Sequence, residues 1–301
     1  MHLICPELFD EILHNKKQQI QLMQTKVIFD LGAHKGEDSD FYLSKGFRVI
    51  AIDASNTLCD AVRKRFQDHP NNDNFKILNY AVTEKDNEII TFYENTGNSV
   101  WGTIFDSWVS RNNKMGTTSI KKSARTMRLD TLIARELQGG EPIEYVKIDI
   151  EGADMMALKS LSNVKEKPRF VSLESEKIVW EKLLEEFDIL KQLGYTKFKI
   201  IDQSTIQNQQ CPNPSREGDY IDYTFEHGST GLFGDELPGE WLSAEDAIKV
   251  YKKIFVRYKY FGDYGIFNNK LFMQNRYLNK LMSIFRLKYP HVGWYDTHAG
   301  S

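Results

Sequence analysis

Three cysteines in 301 residues, Cys5, Cys59 and Cys211, are too few and too scattered for a disulfide framework or a thiolate metal site. They are expected to stay reduced, as in the cytoplasm. No apolar run approaches the ~18 residues that a membrane-crossing helix requires. The first ten residues lack the basic and apolar segments of a secretory leader, so a cytoplasmic protein without a membrane span is expected. Charge of one sign is also missing. With 39 Lys and Arg against 42 Asp and Glu, the net charge is −3, and no global field gathers nucleic acid or an anionic membrane. Internal repeats, low-complexity tracts and clear linkers are absent as well. What remains is an ordinary globular composition, 41% hydrophobic and 27% charged, long enough to bury a sizeable core in a single decorated domain.

Within it, one stretch organises the rest. Val27-Ile28-Phe29 is a short run suited to a strand buried on both faces. Asp30-x-Gly32 and Gly36 follow, then an acidic helix start at Glu37-Asp38. Strand, glycine turn and helix N-terminus in that order open the ligand crevice of a doubly wound α/β domain. Glycines there accept positive φ and let a ligand lie against bare backbone. Asp30 stands where a dinucleotide fingerprint has its first glycine, and its carboxylate suits hydroxyls, an ammonium or a sulfonium better than a pyrophosphate. A second strand, Phe47–Asp53, ends on an acid 21 residues after Gly32. That placement suits the hydroxyls of a bound ribose. Asp30, Gly32, Gly36 and Asp53 together therefore indicate a nucleoside cofactor.

A third strand is expected over Phe75–Val82 and an added antiparallel one over Glu88–Tyr93. Asn95 to Arg125 forms an insert rich in Asn, Ser, Thr, Gly and Lys. Its Trp101 and Trp108 serve either a binding loop or an anchor on the core. A short helix starting at Arg128 leads to the second informative stretch, Tyr145 to Asp154, a buried strand whose tip carries Lys147, Asp149 and Glu151. Lys147 and Asp149 are two apart and share a face if the strand is regular. Burying such charges calls for pairing or for chemistry. A fifth strand over Arg169–Leu173, an amphipathic helix to Gly194 and a strand at Phe198–Ile201 follow. Tyr220–Glu226 is expected as that strand's partner. Gly228–Gly234 is glycine-rich but lacks the lysine of a phosphate loop. Ser243 opens a helix with a capping-box pattern, and helices are expected over 7–24 and 269–286.

These motifs resemble the FkbM family of class I S-adenosylmethionine-dependent methyltransferases. The resemblance is carried by Phe29–Gly36, Ala81-Val82, Arg128–Leu132 and above all Val146–Asp154, and it spans roughly 26–202. His34 departs from it, since the family usually has Asn there. The resemblance implies a Rossmann-like doubly wound α/β fold with about seven mostly parallel strands, to which the residue pattern adds an N-terminal helix and C-terminal helical additions. The expected layout is a helical extension over 1–25, the methyltransferase domain over 26–226, and a glycine-rich loop with helices over 227–301 packed on it. It also implies O-methylation of a hydroxyl on a sugar, glycan or natural product. Asp30, Gly32, Ala33, His34 and Gly36 would line the amino-acid and ribose part of S-adenosylmethionine. Asp53 would hold the ribose hydroxyls, Tyr80 and Ala81 would flank the adenine, and Lys147, Asp149 and Glu151 would sit beside the reactive methyl as catalytic residues. A divalent ion, Mg²⁺ or Mn²⁺, on Asp149, Glu151 or Asp154 is an open alternative for activating the hydroxyl. His227 is a second candidate base. A homo-oligomer is compatible with the sequence. The competing readings are an NAD-linked oxidoreductase, against which Asp30 counts, and a silent methyltransferase-like binding module, against which the intact Asp30, Asp53 and Asp149 count.

Overall fold

The structure, a computed structural model, describes residues 25–262, 265 and 292–301. The helices expected over 7–24 and 269–286 lie outside these residues, as does Cys5.

Seven strands form the central sheet: β1 (Val27–Leu31), β2 (Arg48–Asp53), β3 (Phe75–Asn79), β7 (Ile143–Ile148), β8 (Phe170–Glu174), β9 (Lys197–Asp202) and β10 (Tyr295–Gly300). Across the sheet the order is β3-β2-β1-β7-β8-β10-β9. Every pairing from β3 to β8 is parallel, and β10 runs antiparallel to both of its neighbours. Counted among these seven alone the order is 3-2-1-4-5-7-6, a doubly wound α/β sheet that reverses direction between β1 and β7. A second sheet joins β4 (Ala81–Val82), β6 (Ser119–Met127) and β5 (Ile89–Asn95) in that order.

Helices cover both faces. α1 (Glu37–Ser44) and α2 (Asn56–Phe66) pack on one. α2 starts at Ser55, whose side chain accepts the Leu58 N–H, a cap that satisfies one of the orphan donors of the first turn. The short helix α3 (Asp106–Lys114) lies in the insert. α4 (Leu129–Glu136), α5 (Asp154–Ser160), α6 (Trp180–Gln192) and α7 (Ala244–Phe261) complete the set. α7 is capped as the sequence predicts, the Ser243 side chain accepting the Asp246 N–H. It buries Ala247, Tyr251, Ile254 and Tyr258, the spacing of one helical stripe. No helix among the described residues is long and apolar enough to cross a membrane.

The insert carries α3 and most of β6, which pairs antiparallel with β5. Two expectations are corrected. The strand expected over Phe75–Val82 divides at Tyr80, into β3 of the central sheet and β4 of the second. Tyr220–Glu226 is not a strand. Its side chains do alternate, with Ile221, Tyr223 and Phe225 inward and Tyr220, Asp222, Thr224 and Glu226 exposed. The alternation instead serves to seat Tyr223 and Phe225 on Phe41 of α1, at ring-centroid distances of 5.1 and 4.9 Å. β10 takes the place beside β9, so the sheet is completed by residues beyond 226.

Candidate functional site

The crevice opens where β1, β2 and β7 end, at the reversal of strand order, which is where ligands of open α/β sheets bind. The Gly32 and Ala33 amides both donate to the Ile52 carbonyl (2.9 and 3.2 Å), and the Asp149 amide donates to the Leu31 carbonyl (3.1 Å). The three strand tips are thereby locked together. Gly32 has φ +77°, and a Cβ there would lie 1.8 Å from the Asp149 carbonyl oxygen. At Gly36 (φ +84°) it would meet the Phe66 ring at 2.7 Å. Both glycines are therefore required by contacts within the protein itself. Gly36 does not line the cleft. Neither does Asp30, which is fully buried, accepts the Ser39 hydroxyl (2.6 Å) and pairs with Lys147.

Gly32, Ala33, His34, Asp53, Tyr80 and Ala81 do line it. Asp53 accepts one amide at each oxygen, His34 N–H at 3.0 Å and Ser55 N–H at 2.8 Å. Burial nevertheless pushes its carboxyl up to about 6, against those bonds. Tyr80 carries the Arg135 guanidinium over its ring at 5.2 Å. Beyond Asp53 the wall turns apolar through Leu58, Val82, Phe92 and Ile104. His34 has φ +48°. Its Nδ1 donates to Glu37 (3.0 Å), since a carboxylate can only accept, while Nε2 meets the Ser99 hydroxyl at 2.7 Å.

At the other end lies the strand-tip cluster. Lys147 Nζ stands 3.3 Å from Asp30, 3.2 Å from Asp38 and 3.7 Å from Asp149, and donates to the Gly32 carbonyl at 3.3 Å. Burial alone would lower this ammonium, but the three carboxylates outweigh it and hold it well above the usual lysine value. Asp38 is pushed up to about 6, chiefly by burial, with Lys147 opposing. Its Oδ1 accepts the Thr230 amide (2.8 Å), which ties the glycine-rich loop to the cluster. Asp149 differs from its neighbours because its side chain is 45% exposed to the cleft. The surrounding protein, with Glu174 and Asp30, raises its carboxyl in spite of Lys147.

The turn after Asp149 is strained and braced. Glu151 adopts φ +48°, a left-handed conformation unusual for a non-glycine residue. Asp154 accepts the Ile150 and Gly152 amides at 3.2 and 3.0 Å. From the insert, Thr103 donates to the Glu151 carbonyl (2.9 Å) and Arg111 reaches its carboxylate (3.8 Å). The same guanidinium lies 4.0 Å over Trp108 and 5.7 Å from Trp101. Both tryptophans thus hold the insert against the turn. Desolvation, with Glu174 and Asp149, raises the Glu151 carboxyl well above the usual range. Asp154 is spent on the backbone, and no three His, Cys, Asp or Glu side chains among the described residues converge as a metal site. His227 is exposed, next to the cleft-lining Gly228.

Sequence reasoning missed Glu37, Asp38, Ser99 and Thr103 as site residues. For Glu37 and Asp38 the signal was present, two adjacent acids directly after the turn glycine. For Ser99 and Thr103 it was not, because an insert's fold over the cleft is not periodic.

An acidic cleft with one apolar end fits a nucleoside that carries a positive centre. It does not fit a pyrophosphate, so the donor set favours S-adenosylmethionine over NAD. No curated protein matches the sequence significantly. Among solved structures the chain is similar to an S-adenosylmethionine-dependent methyltransferase from Archaeoglobus fulgidus (9% identity over 97% of this chain and 94% of that one, TM-score 0.36). It is also similar to one from Geobacter sulfurreducens in complex with S-adenosylhomocysteine (10%, 98% and 90%, 0.35). A third is the O-methyltransferase from Bacillus cereus, also with S-adenosylhomocysteine (11%, 67% and 76%, 0.33). Residues 30–197 match the methyltransferase FkbM domain. With more than half its length in that match, the chain belongs to the FkbM family of class I methyltransferases, whose methyl donor is S-adenosylmethionine.

Proposed function

We propose that this protein transfers a methyl group to a hydroxyl of a small-molecule or glycan acceptor. The observation that carries the reading is Asp149, a half-exposed carboxylate with a raised pKa at the floor of the cleft, held in place by a buried lysine. Bound S-adenosylmethionine supplies a methyl already activated by a sulfonium. The protein's remaining task is to hold an acceptor oxygen in line and to take its proton. Asp149 is the proton acceptor in this reading. A raised pKa makes it a better base than an ordinary aspartate. Lys147 holds Asp149 and is itself held by Asp30 and Asp38, so Asp30 acts through Lys147 and not by touching the cofactor. Asp53 accepts the ribose hydroxyls, Tyr80 and Ala81 border the adenine, and Glu151 shapes the acceptor side. The arrangement of acids is unfavourable for a phosphate backbone, which disfavours a nucleic-acid acceptor.

Calorimetry with S-adenosylhomocysteine is expected to show one site per chain, and a panel of glycosides and alcohols to include a methylated product. Asp149→Asn keeps the shape, and turnover is expected to fall roughly 10²–10⁴-fold, the usual size of a general-base contribution, with cofactor affinity little changed. An Asp149→Asn protein that turns over normally but melts several degrees lower would reduce the cluster to a structural ion pair.

A further inference from the structure

The register of the central sheet aligns a second group of acids beside the cleft. Lys147 pairs with Ser172 and Ser172 with His298, so these three share one face of β7, β8 and β10. One pleat nearer the crevice on that face come Asp149, Glu174 and Asp296, with Glu174 directly opposite Asp296. Two of these acids have an evident occupation. Asp149 is held by Lys147, and Glu174 forms an ion pair with Lys177. Asp296 has none. It is only 8% exposed, and its carboxylate makes no hydrogen bond or ion pair with the described residues, among which buried carboxylates are otherwise partnered. Burial, then Asp149 and Glu174, hold its carboxyl well above the usual range. Two residues earlier on the same chain, just beyond that edge of the sheet, Trp294 exposes 56% of its surface.

We propose that Asp296, with Glu174 beside it and Trp294 at the rim, forms a subsite for the hydroxyl groups of a sugar or other polyol acceptor. A largely buried carboxyl that meets no protein partner is stabilised when a ligand completes its hydrogen bonds. A carboxyl that carries its proton can both donate to and accept from a hydroxyl, and the neighbouring Glu174 carboxyl can accept a second one. A polyol supplies both at once, and an exposed indole offers its apolar face to the ring. Because the three acids stand on adjacent strands, a ligand on Asp296 and Glu174 keeps its next hydroxyl within the reach of Asp149. The subsite rests on the proposed O-methylation, of which it specifies the acceptor.

The test compares methyl glucoside with cyclohexanol as acceptors for the full chain and for Asp296→Asn, Asp296→Ala and Trp294→Phe, with thermal melting as the control for folding. The wild type is expected to prefer the glycoside, and Asp296→Ala to lose roughly 10–100-fold in kcat/KM for it, through KM, about the range for two lost hydrogen bonds. Cyclohexanol turnover and S-adenosylhomocysteine affinity should change less than twofold. An unchanged ratio of the two acceptors in Asp296→Ala overturns the proposal. If the wild type methylates neither alcohol, O-methylation fails on its own, and the subsite is then judged by binding. Methyl glucoside should change the intrinsic fluorescence of the wild type, less in Trp294→Phe and not in Asp296→Ala. No fluorescence response in the wild type overturns the subsite in that case.

Discussion

The two faces of the central sheet are built on different principles. On one, Val27, Phe29 and Leu31 of β1, Val146 and Ile148 of β7, and Val171 and Leu173 of β8 meet the aliphatic stripes of α4 to α7. On the other, the same strands present Asp30, Tyr145, Lys147 and Ser172, with His298 and Lys199 continuing the row on β10 and β9. This face is covered by α1, α2 and the segment around Phe225, Leu232 and Phe233, which takes the place of a helix. Even the cover is fastened by charge. Lys45 and Glu236, both fully buried, pair at 3.1 Å, and Glu236 also accepts the Arg216 and Glu217 amides. The aliphatic face has a buried polar cluster of its own, in which Ser175 joins Glu186 to Thr297 and Tyr251 donates to or accepts from Thr297. One face therefore stores stability, and the other spends some of it on holding charges where the crevice needs them.

Lys147→Met breaks the polar face at its centre. It leaves Asp30 and Asp38 buried without their cation, and a loss of about 3–5 kcal/mol is expected, the range for removing one member of a buried ion pair. Leu183→Ala on the aliphatic face should cost about 2–5 kcal/mol for its cavity. Denaturant melts at two pH values separate the mechanisms. The Lys147→Met deficit should shrink as pH falls and the stranded carboxylates protonate, whereas the Leu183→Ala deficit should stay constant. Equal pH-independence in both would remove the distinction between the faces.

The aliphatic face was legible in the sequence, because buried parallel strands read as apolar runs and α6 and α7 carry the helical period. The strand-tip charges were legible too, through Asp30, Asp53, Lys147 and Asp149 at the ends of those runs. Their pairing was not. Asp38 and the Thr230 amide meet across 192 residues of chain, and Asp296 reaches Glu174 from the far end. Tyr220–Glu226 was misread for a related reason: alternation reports which side chains are buried, not whether another strand is there to take the hydrogen bonds.

A smaller effect is expected where the polar face meets the cofactor. Asp53 titrates at about 6 in the folded protein, raised by burial against the Ser55 and His34 amides, and near 3.9 when unfolded. The folded state therefore holds this proton more tightly. The stability it contributes is fully present below about pH 4 and lost as pH rises to about 6. Cofactor binding runs the other way if it needs the ionised form. S-adenosylhomocysteine affinity should fall about tenfold per pH unit below 6, and that slope should flatten in Asp53→Asn, with affinity at pH 7.5 lower by about 1–3 kcal/mol. An unaltered slope in the variant would assign the proton to Asp38, the other cleft carboxyl at about 6.

The smallest change tests how the insert is held over the crevice. His34 ties the turn after β1 to the insert through Ser99 and to α1 through Glu37. Its φ of +48° is one that asparagine, usual in the family here, accepts more readily than histidine. His34→Asn should therefore relieve backbone strain while shortening the side chain beyond reach of Ser99. These opposing terms, each about 1 kcal/mol, should leave global stability nearly unchanged. The loss falls locally, where Ser99 to Thr103 line the cleft beside only a short 3₁₀ turn, Ser99–Trp101. Amide exchange across 96–104 should quicken roughly fivefold, as expected for about 1 kcal/mol lost from a local opening. Exchange at the Lys147 strand should be unaffected, because Lys147 is held by Asp30, Asp38 and Asp149 and not by His34. Saturating S-adenosylhomocysteine together with an acceptor should slow the insert again, in both proteins, if the insert closes over the bound pair. Slowing in the wild type alone would mean that the His34–Ser99 bond is what closure depends on, and slowing in neither would leave the insert a fixed wall of the cleft.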